Sequence, residues 1–344
     1  MEKNLNYKCP LCNGGDITII YSNYPGYIDG SKFEIFKCTQ CTSHFVVNSD
    51  DLKKMYDIIY SSTNTNGYDR YYRYATQVKD MNDPLKFLAL NESTYFPIYN
   101  YVQNKKQLNI LEVGCGYGYL TYALHKRGFN AKGIDIASTP ISFAKESFGD
   151  FYFNITLDDF VKQTDIKFDL IIATELIEHL IDPNEFLNNC IKILKKDSKI
   201  IITTPNKDFY KPNSIWQTDY PPVHLTWISK KGLEFLAKKN GFRISFFDFS
   251  KYYSQNVNRL YSYMSTRKEQ IKNSPLTKAG FPILEFPSLI SRVNFYLFNK
   301  VSLIRLPSNF LYNLFYGDDI TLSCQLAFKD NQSENSISKK IVKS

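Results

Sequence analysis

Two Cys-x-x-Cys pairs stand near the start of the chain, Cys9-Pro10-Leu11-Cys12 and Cys38-Thr39-Gln40-Cys41. Four thiolates at that spacing can close a tetrahedron around a zinc ion and leave no position open, so such a metal would be structural. Pro10, Asn13 and Gly14 suit a tight knuckle at the first pair, whereas the second turn, Cys41-Thr42-Ser43-His44, has no glycine, and His44 could stand in for a cysteine there. Redox dithiols and plain burial are the competing uses of paired cysteines. A segment this short cannot fold on hydrophobic burial alone, and that favours the metal.

A second constellation follows at 109–118, Asn-Ile-Leu-Glu-Val-Gly-Cys-Gly-Tyr-Gly. It reads as an apolar strand entering a glycine turn and then a helix, whose first amides face the crevice at the carboxyl ends of the strands. A dinucleotide fingerprint would need G-x-G-x-x-G, but Tyr119 occupies the last position, and the acid Glu112 argues against a pyrophosphate. Glu112 suits a ligand with an ammonium group. Asp135, ending Gly133-Ile134-Asp135, suits a ribose diol that donates two hydrogen bonds. The alternative is a tight connection with no ligand.

These residues need a scaffold, and the pattern supplies one. From residue 108 strands are expected at 109–113, 131–136, 151–155, 168–173 and 199–203, with helices at 118–127, 138–147, 158–163 and 183–195 between them. That alternation is an α/β fold with a doubly wound parallel sheet. An amphipathic helix at 229–240 stops at Gly241, strand-like residues follow at 242–249, and the last strand is expected at 321–328 after a helical insertion, 251–316. Residues 1–50 read as a small β-rich, zinc-ribbon-like unit with strands at 17–21 and 33–37, residues 51–104 as a tyrosine-rich helical connector, 105–330 as the main domain and 331–344 as a loose polar tail.

The chain has 344 residues, 43% hydrophobic and 22% charged, which excludes wholesale disorder. Its start lacks the apolar stretch of a secretory signal and no apolar run is long enough to cross a bilayer, so the expected location is the cytoplasm. Seven cysteines without an export signal argue against a disulfide framework. Of the net charge of +8, nearly all is local: residues 251–316 carry nine basic and two acidic side chains. Three readings compete for that insertion: a packing, lid or dimerisation element, a surface lying peripherally on anionic lipid at the inner face of the membrane, and a nucleic-acid groove, the last disfavoured because the basic residues are dispersed.

Glu112-x-Gly114-x-Gly116-x-Gly118 with Asp135 resembles the S-adenosylmethionine site of the class I methyltransferases. The likeness continues through 168–171, Glu175 to Pro183, Thr204-Pro205-Asn206 and 221–229, and there it resembles a bacterial subgroup of that family. Some relatives carry an N-terminal zinc-binding unit, sugar C-methyltransferases among them. The resemblance implies a mostly parallel seven-stranded sheet and a cofactor pocket in which Glu112, Gly114, Gly116 and Gly118 shape the methionine and ribose side. It further implies that Asp135 holds the ribose hydroxyls, Ile136 packs on adenine, Thr174 lines the methionine end and the 156–158 stretch meets the adenine edge through Asp158, with Asp159 equally placed. Tyr117 and Tyr119 would offer an aromatic face to the sulfonium or serve packing.

Methyl transfer from a sulfonium is an in-line displacement, and it needs a base only where the nucleophile carries a proton. Glu178-His179 after the fourth strand and His224 in the proline-rich loop 205–228 are the candidates, two of only four histidines in the chain. The competing reading gives His179 a role in a short helix and His224 a role in holding a lid over the substrate. Trp216 and Trp227 can stack on a sugar or base or belong to the core. The expected activity is methylation of a sugar or glycan-linked acceptor at carbon or oxygen, with an RNA methyltransferase and a non-catalytic cofactor-binding scaffold as the alternatives.

Overall fold

The computed structural model describes residues 7–47, 52–60, 68–209, 213, 215, 219–255, 274–281 and 321–328. Its centre is a seven-stranded sheet made of β4 (Asn109–Val113), β5 (Asn130–Asp135), β6 (Tyr152–Asn154), β7 (Phe168–Thr174), β8 (Leu194–Pro205), β10 (Phe242–Phe246) and β11 (Thr321–Phe328). The order is β10-β11-β8-β7-β4-β5-β6, parallel from β8 to β6, with β11 antiparallel to both of its neighbours. The chain winds outward in opposite directions from the β4/β7 boundary, and such a reversal opens a crevice at the carboxyl ends of those strands.

The strands alternate because both faces are covered. Leu111, Ile171, Ile200 and Ile202 pack on one side, against α7 (Leu157–Gln163), α8 (Pro183–Ile193) and α9 (Lys230–Lys239), while Ile110, Leu170, Ile172 and Ile201 pack on the other. On that second face lie α5 (Tyr119–Lys126) and the connector helices α2 (Asp69–Gln77), α3 (Pro84–Asn91) and α4 (Phe96–Val102). The connector, with α1 (Leu52–Tyr60) at its start, is therefore one wall of the main domain. α6 (Ser138–Phe148) packs through Ile141 and Ala144 on Tyr152.

Local chemistry sets the helix boundaries. Pro183 opens α8 behind Asp182, whose Oδ1 accepts from Asn184 N–H at 2.8 Å and Glu185 N–H at 3.2 Å. Ser229 caps α9 by accepting from Gly232 N–H at 2.9 Å. Between residues 109 and 246 and at 321–328 the expected strands and helices appear, most within two residues of the bounds read from sequence. β10 ends at Phe246, short of the expected 249, and β8 starts at Leu194 because Leu194 already pairs with Phe168 before a register shift.

The amino-terminal unit is larger than its sequence suggests. β1 (Ile17–Pro25) and β2 (Lys32–Cys38) form a hairpin, β3 (His44–Phe45) adds to β2, and β9 (Thr226–Trp227) completes the sheet from the far side of the chain. Residues 226–227 thus share a sheet with residues 17–45. α10 (Ser250–Gln255) begins the insertion, and Leu276 bridges to Ile28 beside the hairpin turn. The rest of 251–316, the tail 331–344 and Trp216 lie outside the described residues. No helix among the described residues is long and apolar enough to cross a membrane.

Candidate active site

A cavity of about 480 Å³ opens at the carboxyl ends of β4, β5 and β7. Glu112, Gly114, Gly116, Asp135, Ile136, Asp158, Thr174 and His179 all line it. Gly114, Gly116 and Gly118 have φ of +75°, +49° and +75°, a region that side chains bearing a Cβ rarely enter. At Gly118 a Cβ would stand 2.4 Å from the Tyr152 ring and 2.8 Å from Ala144 Cβ. Gly118→Ala is therefore expected to destabilise the fold by about 2–4 kcal/mol, read as a lower urea midpoint at unchanged slope.

Asp135 ties the turn to the strand end. Its Oδ2 accepts from Gly116 N–H and its Oδ1 from Ala137 N–H, both at 2.8 Å. Burial pushes its carboxyl up, against the pull of these backbone amides. Each oxygen keeps a second lone pair, so the geometry still suits a diol. Glu112 differs from its expectation in one respect: Thr121 donates a short hydrogen bond to its Oε2, so this carboxylate already has an internal partner. Burial raises Glu112 to about 8.

Asp158 and Asp159 separate clearly. Asp159 turns back to accept from the Thr156 hydroxyl at 2.8 Å, while Asp158 pairs with Lys162 at 2.5 Å and lines the cavity. Tyr117 and Tyr119 also line it but are 4% and 6% exposed. Tyr119 hydrogen bonds to Tyr95, and Tyr117 sits edge-on to Tyr60 and Tyr72.

Sequence reasoning missed the opposite wall. Tyr56, Tyr60, Tyr68, Tyr71 and Tyr95 of the connector line the cavity, and the density of tyrosines in that stretch was the signal. It also missed Glu175, which follows β7 at φ +47°. Glu175 Oε2 accepts from Arg70 at 2.8 Å and the Tyr71 hydroxyl at 2.6 Å, and Oε1 accepts from Thr94 at 3.0 Å. Burial alone would push this carboxyl up, but the Arg70 charge and the two hydroxyls outweigh it and hold it below the usual range. A lowered carboxyl stabilises the fold above its unfolded pKa and loses that contribution as pH falls through the folded value. Glu175→Gln should accordingly flatten the acid side of the stability–pH curve, measured by thermal melts from neutral to acid pH.

Behind the cavity floor the structure brings Glu178, His179 and His224 together. Their ligand atoms all lie within 4.8 Å of one another. His179 sits in a 3-10 turn, Ile177–His179, and of the three it alone lines the cavity. Its Nδ1 lies 2.6 Å from the Val223 carbonyl, which can only accept, so Nδ1 carries the proton and Nε2 offers its lone pair. The His224 ring meets His179 edge-on at 4.5 Å. Burial lowers both imidazoles and keeps them neutral, and it raises Glu178 well above the carboxylate range. Glu178 is 1% exposed; the Thr204 hydroxyl and its own backbone amide pull its carboxyl down only in part, and among the described residues it pairs with no lysine or arginine. A carboxylate and two neutral imidazoles so placed can hold a divalent cation, or His179 alone can take a proton.

The four cysteines also converge. Cys9 and Cys41 sulfurs are 3.5 Å apart, Cys12 and Cys38 likewise, and all four lie within 4.8 Å of one another. Tetrahedral zinc with thiolates at ordinary bond lengths would set sulfurs about 3.8 Å apart, so these residues fit the ion. Gly14 N–H points at Cys12 Sγ at 3.4 Å, and none of the four is in a disulfide. His44 is buried outside the group and does not replace a cysteine. Trp227, 1% exposed, belongs to the core.

A family model described as a methyltransferase domain matches residues 73–245, half of the chain. The chain belongs to that family. Its sheet order, glycine turn and Asp135 complete the class I methyltransferase fold, and the matched domain is that of an S-adenosylmethionine-dependent methyltransferase. The chain is 32% identical over 154 residues to the mitochondrial ubiquinone biosynthesis O-methyltransferase of Bos taurus, covering 40% of this chain and 42% of that protein. It is 32% identical over 121 residues to the ubiquinone biosynthesis O-methyltransferase of Actinobacillus pleuropneumoniae, covering 31% and 52%. This methyltransferase-family chain spans about half the length of the curated relatives it matches. Among solved structures, an S-adenosylmethionine-dependent methyltransferase from Archaeoglobus fulgidus aligns at 19% identity and a TM-score of 0.41, over 74% of this chain and 98% of that one.

Proposed function

We propose that this chain transfers the methyl group of S-adenosylmethionine to a hydroxyl oxygen of a small-molecule acceptor, and that Glu178, His179 and His224 hold a divalent cation beside that hydroxyl. The observation that carries the proposal is the convergence of the buried Glu178 carboxyl, which pairs with no lysine or arginine among the described residues, with two neutral imidazoles. A buried carboxylate without a counter-charge is costly, and a cation would relieve it. The His179 Nδ1–Val223 contact supports the same reading, because ligating histidines are commonly oriented by a carbonyl on their other nitrogen. The cation when bound lowers the pKa of the acceptor hydroxyl. The protein's own part is alignment: the glycine turn and Asp135 hold the cofactor, and the tyrosine wall screens the crevice from water. In the transfer the acceptor oxygen bonds the methyl carbon as the carbon–sulfur bond breaks, and the hydroxyl proton leaves to solvent.

The seven tyrosines and the O-methyltransferase relatives support a hydroxyl on a flat, largely apolar ring. The sugar or glycan-linked hydroxyl of the sequence-based expectation is the other acceptor arm. A second mechanistic reading rests on His179 alone reaching the cavity: its Nε2 would then be the base. Cys9, Cys12, Cys38 and Cys41 hold structural zinc in either case.

The experiment supplies methyl-labelled cofactor with hydroxylated aromatics, nucleotide sugars, lipid-linked glycan and RNA. Each is run with Mn2+ and after a brief chelation that metal analysis shows to leave zinc in place. Label on an aromatic hydroxyl that disappears on chelation is the expected result. Label on RNA, or transfer indifferent to the divalent cation, would overturn the acceptor and the cation assignments respectively, and in the second case His179 is the base.

A further inference from the structure

The cysteine unit and the Glu178–His179–His224 cluster are joined by one short strap, residues 223–229. On the cysteine side β9 pairs with β3, Trp227 opposite His44 and Thr226 opposite Phe45. Val46 N–H donates to the Leu225 carbonyl at 3.0 Å, Ser229 N–H to Ser43 Oγ at 3.0 Å, and the Ser229 hydroxyl to the Cys41 carbonyl at 2.5 Å. Cys41 is one of the four converging sulfur residues, so the strap hangs directly on the ligand set. On the cluster side Leu225 N–H donates to the Glu178 carbonyl at 2.9 Å, and the Val223 carbonyl accepts a hydrogen bond from His179 Nδ1–H. His224 lies between these two anchors.

We infer that the cysteine unit is a positioning device for the acceptor-side cluster: the zinc it holds fixes the strap, and the strap sets both His224 and the carbonyl that orients His179. The inference rests on the proposed function for the chemistry of the cluster, not for its geometry. The cofactor side of the crevice is built differently, for no residue of 7–47 lines the cavity. Loss of the metal should therefore separate two properties that share one crevice. Cofactor affinity stays, and the placement of the two histidines is lost.

Ser43 is the positioning residue that tests this. It is fully buried, it receives Ser229 N–H and it shares a hydrogen bond with the Ser229 hydroxyl at 2.9 Å; it also hydrogen bonds the Cys41 sulfur, so zinc content is measured beside the strap. Ser43→Ala leaves the four cysteines intact and strands the strap's N–H, a loss on the scale of one buried hydrogen bond, or about tenfold. Three quantities are compared in wild type, Ser43→Ala, Cys38→Ser and zinc-stripped protein: zinc content, S-adenosylmethionine affinity by calorimetry, and the ring nitrogen spectra of the four histidines. The expected pattern in Ser43→Ala is full zinc, cofactor affinity within about threefold and shifted His179 and His224 rings. His125, stacked on Phe151 at 4.4 Å, reports an unaffected region and should not move. Unshifted His179 and His224 rings in the zinc-stripped protein would overturn the inference. So would loss of cofactor affinity together with all four ring signals in Ser43→Ala, which would mark a general fold stabiliser. The ring spectra need neither acceptor nor second cation, so a wild type that methylates no hydroxyl would fail the functional reading and still leave this one decided.

Discussion

Asp135→Ala is expected to weaken S-adenosylmethionine binding by about 100-fold or more. Two charge-assisted hydrogen bonds to a ribose diol contribute about 1.5–3 kcal/mol each, and 1.4 kcal/mol is a factor of ten. The same carboxylate also receives Gly116 and Ala137 N–H, so its removal frees the glycine turn as well as the ribose. Asp135→Asn keeps the shape but sets its NH2 against the Gly116 or the Ala137 N–H, so with one acceptor left it should still weaken binding by about tenfold or more. Calorimetry on both variants checks the ladder. Equal affinity in Asp135→Ala and wild type would remove Asp135 from the cofactor site.

The second large effect concerns His179. His179→Ala should lower kcat by about 10³-fold, within the span of lost proton handling or a lost metal ligand, with cofactor affinity unchanged. The reason is placement: His179 faces the cavity, its Nδ1 is committed to Val223, and its Nε2 points toward Glu178 at 4.0 Å. Under the cation reading Mn2+ affinity falls in His179→Ala and in Glu178→Gln alike. A kcat loss below about tenfold would leave His179 a packing residue of the 3-10 turn.

What could be read from sequence was local. The glycine turn and Asp135 sit at strand ends where spacing alone dictates geometry, and the cysteine pairs carry their own knuckle turns. The choice between Asp158 and Asp159 was not legible, because it depends on Thr156 drawing Asp159 into the helix cap. Glu112 was expected to wait for an ammonium group, but a helix residue nine positions on, Thr121, reaches back to it. Long-range placement was hidden altogether. β9 is two residues long, shows no periodicity, and pairs with β3 from the other end of the chain. The connector tyrosines and the Arg70–Glu175 pair become part of the crevice only once the connector helices cover the sheet.

The atom that receives the methyl group decides the proposed reaction. The most direct measurement is the carbon spectrum of product formed from methyl-13C S-adenosylmethionine by the zinc-loaded protein with Mn2+ and the best acceptor of the panel. A methoxy carbon, absent when Asp135→Ala replaces the wild type at the same cofactor concentration, is the predicted result. Label on nitrogen or carbon, or tight cofactor binding with no transfer to any hydroxyl, would contradict it.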